Sequence, residues 1–313
     1  MSLCLRAKQI GYLGAVFAII FFCGGFSFSI DLSETKQEPD VLNRVLNRAS
    51  QYCETLKGSV LDFVCVEKIK EKINHGKDHE DYRSKMFRTM GGMMSRTKRA
   101  KISSTKTNSY VYDYQLIKKG AQTYEKRILL EENGKKKQEE HSQLKLETFR
   151  HRFVVLGPVG LLSKEWQKHH EFEIVANKKF QGKKTWVIQA MPKNPDETNH
   201  LYGRIWVDET DFSILKIEWD VKSVENYEKI IDFSKRINAE PRITMISEYR
   251  IEKNGIRFPS KYSIREAYQS RSGGVFVRSD IDVTYEEYKF FTVETTVKYG
   301  VIPNCRKELS VNK

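Results

Sequence analysis

The sequence predicts an α+β protein built on one curved antiparallel sheet of about ten strands, with a few helices covering its concave side. Three observations carry this expectation. From residue 109 onward most segments alternate apolar and polar residues with period two, as half-buried strands do. Turn dipeptides separate them at short intervals (Lys119-Gly120, Asn133-Gly134, Gln181-Gly182, Asn254-Gly255), so successive strands fold back on one another. Strands and helices do not alternate as βαβ units, which argues against a parallel sheet, and no repeat of solenoid or propeller length stands out. A sheet this wide must curl to bury its apolar face.

The chain begins with an address. Residues 1–9 carry Arg6 and Lys8 and no acid, and Ile10 to Phe28 runs without a charge. Ser27-Phe28-Ser29 is a small-x-small exit, followed by Asp31 and Glu34. This is the pattern of a secretory signal peptide cleaved near Ser29. The apolar run is also almost long enough to stay as an anchor. Either way the remainder is exported. Phe21-Phe22 before Cys23 lacks the small residues of a lipidation site.

Residues 39–57 read as a helix, because Val41, Leu42, Val45, Leu46, Ala49, Cys53 and Leu56 form one apolar stripe. The period then changes to two. Leu61, Phe63, Cys65 and Ile69 face one way, and Asp62, Lys68 and Lys70 the other. The stretch from Arg83 to Lys106 inclusive holds eight basic residues and no acid, with Met86, Phe87, Met90, Met93 and Met94 among them. Gly91-Gly92 interrupts any helix there. The segment reads as a flexible lid able to touch lipid or an apolar partner, or as a solvated basic loop.

Tyr110, Tyr112, Tyr114 and Leu116 open the strand-rich region, and Tyr124, Ile128 and Leu130 follow up to Asn133-Gly134. Lys135 to Glu140 reads as an exposed connection. A short helix is expected over Val159–Gln167, with Pro158 tolerated at its start. Glu171–Ala176 pairs with a return strand through Trp186, Ile188 and Ala190. Arg204–Val207 and Ile214–Trp219 form a hairpin, with Leu215, Ile217 and Trp219 on one face. A second amphipathic helix covers 223–239. Strands over 243–251, 256–267, 275–285 and 288–297 complete the sheet. The expected organisation is a signal peptide over 1–29, one domain over 30–298 with a basic insert at 78–108, and a tail over 299–313.

A core is affordable, since the chain holds 15 Tyr, 17 Phe and 4 Trp among its 313 residues. The net charge of +13 would suggest nucleic acid in a cytosolic protein. An exported chain meets an anionic membrane surface, cell-wall polymer or envelope proteins instead, so no nucleic-acid partner is expected. Outside the leader the cysteines are Cys53, Cys65 and Cys305. A Cys53–Cys65 disulfide is expected in an oxidising compartment, clipping the helix to the sheet. Two buried free thiols are the alternative.

Reactive motifs are missing. The sequence has no G-x-S-x-G, no phosphate-binding G-x-x-x-x-G-K-[ST], no H-E-x-x-H and no G-x-G-x-x-G. His75 and His79 sit beside Asp78, Glu80 and Asp81, and His169-His170 beside Glu171 and Glu173; both groups read as surface. The expectation is no catalytic residue, no metal and no cofactor.

The stretch Gly203-Arg204-Ile205-Trp206-Val207-Asp208, followed by Phe212-Ser213-Ile214-Leu215-Lys216-Ile217-Glu218, resembles the recurrent hairpin of the periplasmic lipoprotein-sorting carriers (LolA- and LolB-like proteins). The order of elements over roughly 40–297 is similar too. That resemblance implies an unclosed half-barrel with helices as a lid, and a cavity that shields the acyl chains of lipids or lipoproteins. The basic insert, the Cys53/Cys65 pair and the greater length depart from it. Cavity candidates are Trp186, Ile188, Ile205, Trp206, Val207, Leu215, Ile217 and Trp219. Lid or membrane-contact candidates are the five insert residues named above with Leu161, Leu162 and Trp166. If the aromatic residues fill a solid core instead, the same fold serves as an envelope interaction or sensor module without lipid cargo. A continuous apolar cavity separates the two readings.

Overall fold

The computed structural model describes residues 39–59, 63–76, 105–119, 122–194, 201–224 and 227–290. The expected leader with Ser29, the insert residues Met86, Phe87, Met90, Met93 and Met94, and the tail with Cys305 lie outside the described residues. Among the described residues no helix is long and apolar enough to cross a membrane.

Helix α1 spans Pro39–Ser59, starting on Pro39 with Asp40 in its first turn and Lys57 in its last, where each charge suits the helix dipole. Its Val45, Ala49, Cys53 and Leu56 are fully buried at the expected spacing. The strands are β1 (Phe63–Asn74), β2 (Thr105–Lys119), β3 (Gln122–Glu132), β4 (Lys135–Glu139), β5 (His170–Phe180), β6 (Lys183–Pro192), β7 (Gly203–Asp208), β8 (Ile214–Trp219), β9 (Ala239–Glu248), β10 (Ile251–Lys253), β11 (Ile256–Phe258), β12 (Lys261–Ser270) and β13 (Val275–Phe290). Eleven of them form one antiparallel sheet in the order β4-β3-β2-β1-β13-β12-β9-β8-β7-β6-β5. The terminal strands β4 and β5 do not pair with each other, so the sheet is an unclosed barrel. β10 and β11 make a separate small hairpin.

Three expectations about the strands need correction. The lysine-rich stretch after Asn133-Gly134 is not a connection but β4, paired to β3 with all five residues exposed. Asn133 (φ 50) and Gly134 (φ 76) both take the left-handed conformation that a two-residue hairpin turn demands. The expected strand over 256–267 is two strands, interrupted around Pro259, which cannot donate to a ladder. Tyr288 does not begin a new strand: β13 runs on to Phe290.

The expected 159–167 helix is two single turns, α2 (Val159–Leu162) and α3 (Lys164–Gln167), because Ser163 between them is extended. The second long helix is reduced to α4 (Tyr227–Ile237), preceded by a 3-10 turn over Val221–Ser223 that the Asp220 carboxylate caps. Asn238 (φ 50) ends α4 in the left-handed conformation. The main core joins the sheet to α1 and the 154–162 segment. Ile230 and Phe233 of α4 form a smaller cluster with Tyr268.

Candidate functional site

The inner face of the sheet is occupied by two kinds of packing. On β6 to β8, six of the eight cavity candidates (Trp186, Ile188, Ile205, Val207, Ile217 and Trp219) share one buried core with α1, Val154, Val155, Leu161 and Leu162. Trp219 Nε1 donates to Ser247 Oγ at 2.9 Å, and Tyr249 Oη donates to the Val154 carbonyl at 3.0 Å. Gly157 approaches so closely that a Cβ there would stand 2.7 Å from Tyr249 Oη and 3.1 Å from the Trp219 ring. The remaining two candidates, Trp206 and Leu215, are buried but lie outside that core. The pairing register shifts between Trp206 and Val207, so Ile214 stands opposite Val207 and joins the core in place of Leu215. The expected face of Leu215, Ile217 and Trp219 is therefore Ile214, Ile217 and Trp219. Trp206 instead carries the Lys216 ammonium 4.1 Å from its ring centroid. Of the lid candidates, Leu161 and Leu162 are fully buried, and Trp166 is half-buried with its ring 5.7 Å from that of His169.

The expected Cys53–Cys65 disulfide is not formed; both thiols are free and buried. Each has its own neighbour. Cys53 Sγ donates to the Pro158 carbonyl at 3.4 Å, whereas Cys65 sits on the buried side of β1 beside Tyr288. Burial pushes the Cys53 thiol up to about 12 and raises that of Cys65 as well.

On β1 to β3 the buried face is apolar too, with Tyr112, Tyr114 and Leu129 in the same core, but ionic groups are set into it. Glu67 and Glu71 are completely buried on the same side of β1 as Phe63, Cys65, Ile69 and Ile73. Glu67 accepts two bonds from Arg127, from Nε at 2.6 Å and Nη2 at 3.1 Å, and one from His151 Nε2 at 2.9 Å. Arg127 Nη1 also donates to Glu125 at 3.0 Å, and its guanidinium lies 4.8 Å from the Tyr114 ring centroid. Glu125 accepts further bonds from Tyr114 Oη at 2.9 Å and the Phe153 N–H at 2.7 Å. Burial by itself would raise the Glu67 carboxyl, but the Arg127 charge and the His151 contact outweigh it and hold the group at about 2.

Glu71 does similar work four residues further along the strand. Its Oε1 accepts from the Glu147 and Thr148 N–H groups at 3.0 and 3.2 Å and from Thr148 Oγ1 at 3.1 Å. Asn108 donates to its other oxygen at 3.1 Å. The two carboxylates thus fasten the irregular connector over 140–153 against β1. The sequence reading missed Glu67, Glu71, Arg127 and His151. The available signal was two acids in register with the apolar residues of β1.

Beside this network a cleft of about 700 Å³ opens between β3 and the connector. Lys126, Arg150 and Arg152 give it basic walls, Ile117, Tyr124, Leu144 and Phe153 apolar ones. His151 lines it too, and its Nδ1 is buried without a hydrogen-bond partner. None of the eight cavity candidates lines this cleft. The described residues hold no group of three His, Cys, Asp or Glu side chains placed to share a metal. His170, expected at the surface, is buried, with Nδ1 2.9 Å from the Trp166 carbonyl; burial lowers its pKa.

No family model matches the chain, and no curated protein matches it by sequence. Solved structures do resemble it. A domain described as an outer membrane lipoprotein-sorting protein from Vibrio parahaemolyticus aligns over 80% of this chain and 95% of its own, at 9% identity and a TM-score of 0.34. A LolA superfamily protein from Nitrosomonas europaea aligns over 80% and 94%, at 11% identity and a TM-score of 0.31. A DUF1329 family protein from Desulfovibrio piger aligns over 79% and 92%, at 10% identity and a TM-score of 0.36. At these scores the likeness carries no functional weight. The solved structures this chain is similar to include lipoprotein-sorting and LolA-superfamily proteins, the family its β7–β8 hairpin resembles.

Proposed function

We propose that the chain is an exported, non-catalytic binding module of the cell envelope, an unclosed half-barrel that interacts through its surface and carries no lipid inside. One observation carries this reading: the face that an acyl carrier would keep open is filled by the chain's own α1 and 154–162 segment. The near-contact of Gly157 with Tyr249 and Trp219 leaves no room there for even a methyl group. The buried ionisable groups of the polar half are engaged with one another, as Glu67 and Arg127 are, which suits a structural network better than proton transfer.

A second reading keeps the acyl carrier. The side-chain bonds of α1 to the rest of the fold include Tyr52 with the Arg257 backbone, Cys53 to Pro158, and Gln167 to Leu46. Release of α1 would uncover an apolar face containing Trp186, Ile188, Ile205, Val207, Ile217 and Trp219. Native mass spectrometry separates the two. Protein purified without detergent is measured before and after incubation with phospholipid and a lipopeptide. The module reading expects the unliganded mass throughout. A co-purifying acyl species at near-stoichiometric amount overturns it in favour of the carrier.

A further inference from the structure

The sheet has two edges, and they differ. β5 is bulged between Ile174 and Ala176 and carries Lys178 and Lys179, features that discourage pairing with another strand. At the other end β4 covers only part of β3. Its pairing reaches from Glu132 to Leu129 and stops. The Arg127 carbonyl, the next group outward, accepts from the Ser142 N–H at 3.0 Å. Alternate residues of a strand point their backbone groups the same way. The N–H and C=O groups of Thr123 and Glu125 therefore also point away from β2, and among the described residues they have no backbone partner.

This free half-strand forms one wall of the basic cleft. Among the described residues no carboxylate lies within ion-pair distance of Lys126, Arg150 or Arg152, whereas Arg127 and Lys145 are both paired. Tyr124 is one of the few large apolar side chains left exposed, at 46%. The unpartnered His151 Nδ1 lies buried in the facing wall, on the connector. A strand edge supplies affinity through main-chain bonds, and flanking pockets and charges select the sequence. Three unpaired cations beside such an edge select acids.

We propose that the free half of β3, from Thr123 to Lys126, is a docking edge for an extended acidic segment of a partner protein, which adds there as a further strand with its carboxylates against Lys126, Arg150 and Arg152. This rests on the interaction-module reading above and names the partner's chemistry. A membrane surface suits the cleft less well, because a line of unpaired backbone groups matches a peptide and not a headgroup.

Fluorescence anisotropy with a labelled ten-residue peptide of alternating Glu and Val tests it, against a Lys–Val peptide and phosphatidylglycerol vesicles. The full-length protein is expected to bind the acidic peptide and not the basic one. Thr123→Pro removes an outward N–H without touching the β2 ladder and should weaken binding about tenfold, the worth of one main-chain hydrogen bond. Thr123→Val keeps the N–H and should bind as the parent does. Arg150→Ala with Arg152→Ala should weaken binding and flatten its salt dependence. Thermal melts confirm that each variant is folded. Failure of the parent to bind the peptide overturns the proposal, as does a folded Thr123→Pro that binds like the parent. Either result with an unliganded native mass removes this edge and leaves the module reading intact; an acyl-bound native mass removes that reading separately. Binding to vesicles with no binding to the peptide overturns the proposal in favour of a membrane-contact face.

Discussion

The two halves of the sheet's inner face share one apolar core but differ in what is buried within it. From β6 to β8 the filling is apolar, with Ile205, Ile217 and Trp219 under α1 and α2. From β1 to β3 an ionic network is set among apolar residues, with Glu67 and Glu71 holding the connector through Arg127, His151, Thr148 and backbone N–H groups. The apolar half gains stability from area removed from water and tolerates some repacking. In the ionic half each member is buried at a cost that only its partners offset. Loss of one partner should therefore hurt more there than loss of one side chain in the apolar half, and its buried Glu67 carboxylate should make it sensitive to acid.

The largest expected effect is that of Glu67→Gln. It leaves the Arg127 charge buried with Glu125 alone, and breaking such a pair costs about 3–5 kcal/mol. Urea unfolding at neutral pH measures it; a loss below that of the apolar substitution described next would dissolve the contrast. Leu161→Ala, at a fully buried position of α2, should cost about 2–5 kcal/mol through the cavity it leaves.

Acid sharpens the comparison. Glu67 is held at about 2 in the fold, against 4.5 for the ordinary group. Its folded value is depressed, so its contribution is complete above 4.5 and drains away as the pH falls from there through about 2. Wild type and Leu161→Ala should lose stability in parallel over that window, while Glu67→Gln loses less. Parallel loss by all three would mean that Glu67 is not the titrating group.

A smaller effect is expected at the edge, outside both halves. Gly134→Ala places a side chain at φ 76, where space is open but the backbone conformation is unfavourable. About 1 kcal/mol of destabilisation is expected in thermal unfolding. The smallest effect concerns the two thiols. A reductant should leave the melting temperature unchanged, and a thiol reagent should label Cys53 and Cys65 only after denaturation. Labelling of a single one in the native protein would show that its part of the core opens.

The elements that were read correctly are those whose pattern is local. The α1 stripe of Val45, Ala49, Cys53 and Leu56 is a helical repeat complete in itself, and Asn133-Gly134 carries its own turn chemistry. The β4 strand was missed because it is exposed on every residue and shows no alternation. Leu215 was placed on the wrong face because a bulge shifts the register, and a bulge needs the partner strand to define it. The candidate cleft was invisible, since β3 and the connector meet only in the folded chain.

Residue order and elementary preferences decided the class of fold: period-two apolar patterning, tight turns and one amphipathic helix lead to a wide antiparallel sheet with helices against it. The same order placed Glu67 and Glu71 on an apolar face of β1. What they do there was decided by tertiary structure alone, because a buried carboxylate is either ruinous or stabilising according to the donors that long-range contacts bring to it. Those contacts, from Arg127 and His151 to Glu67 and from Thr148 to Glu71, span 60 to 84 residues of chain. The approach of Gly157 to Tyr249 and Trp219 was likewise decided only in the folded chain.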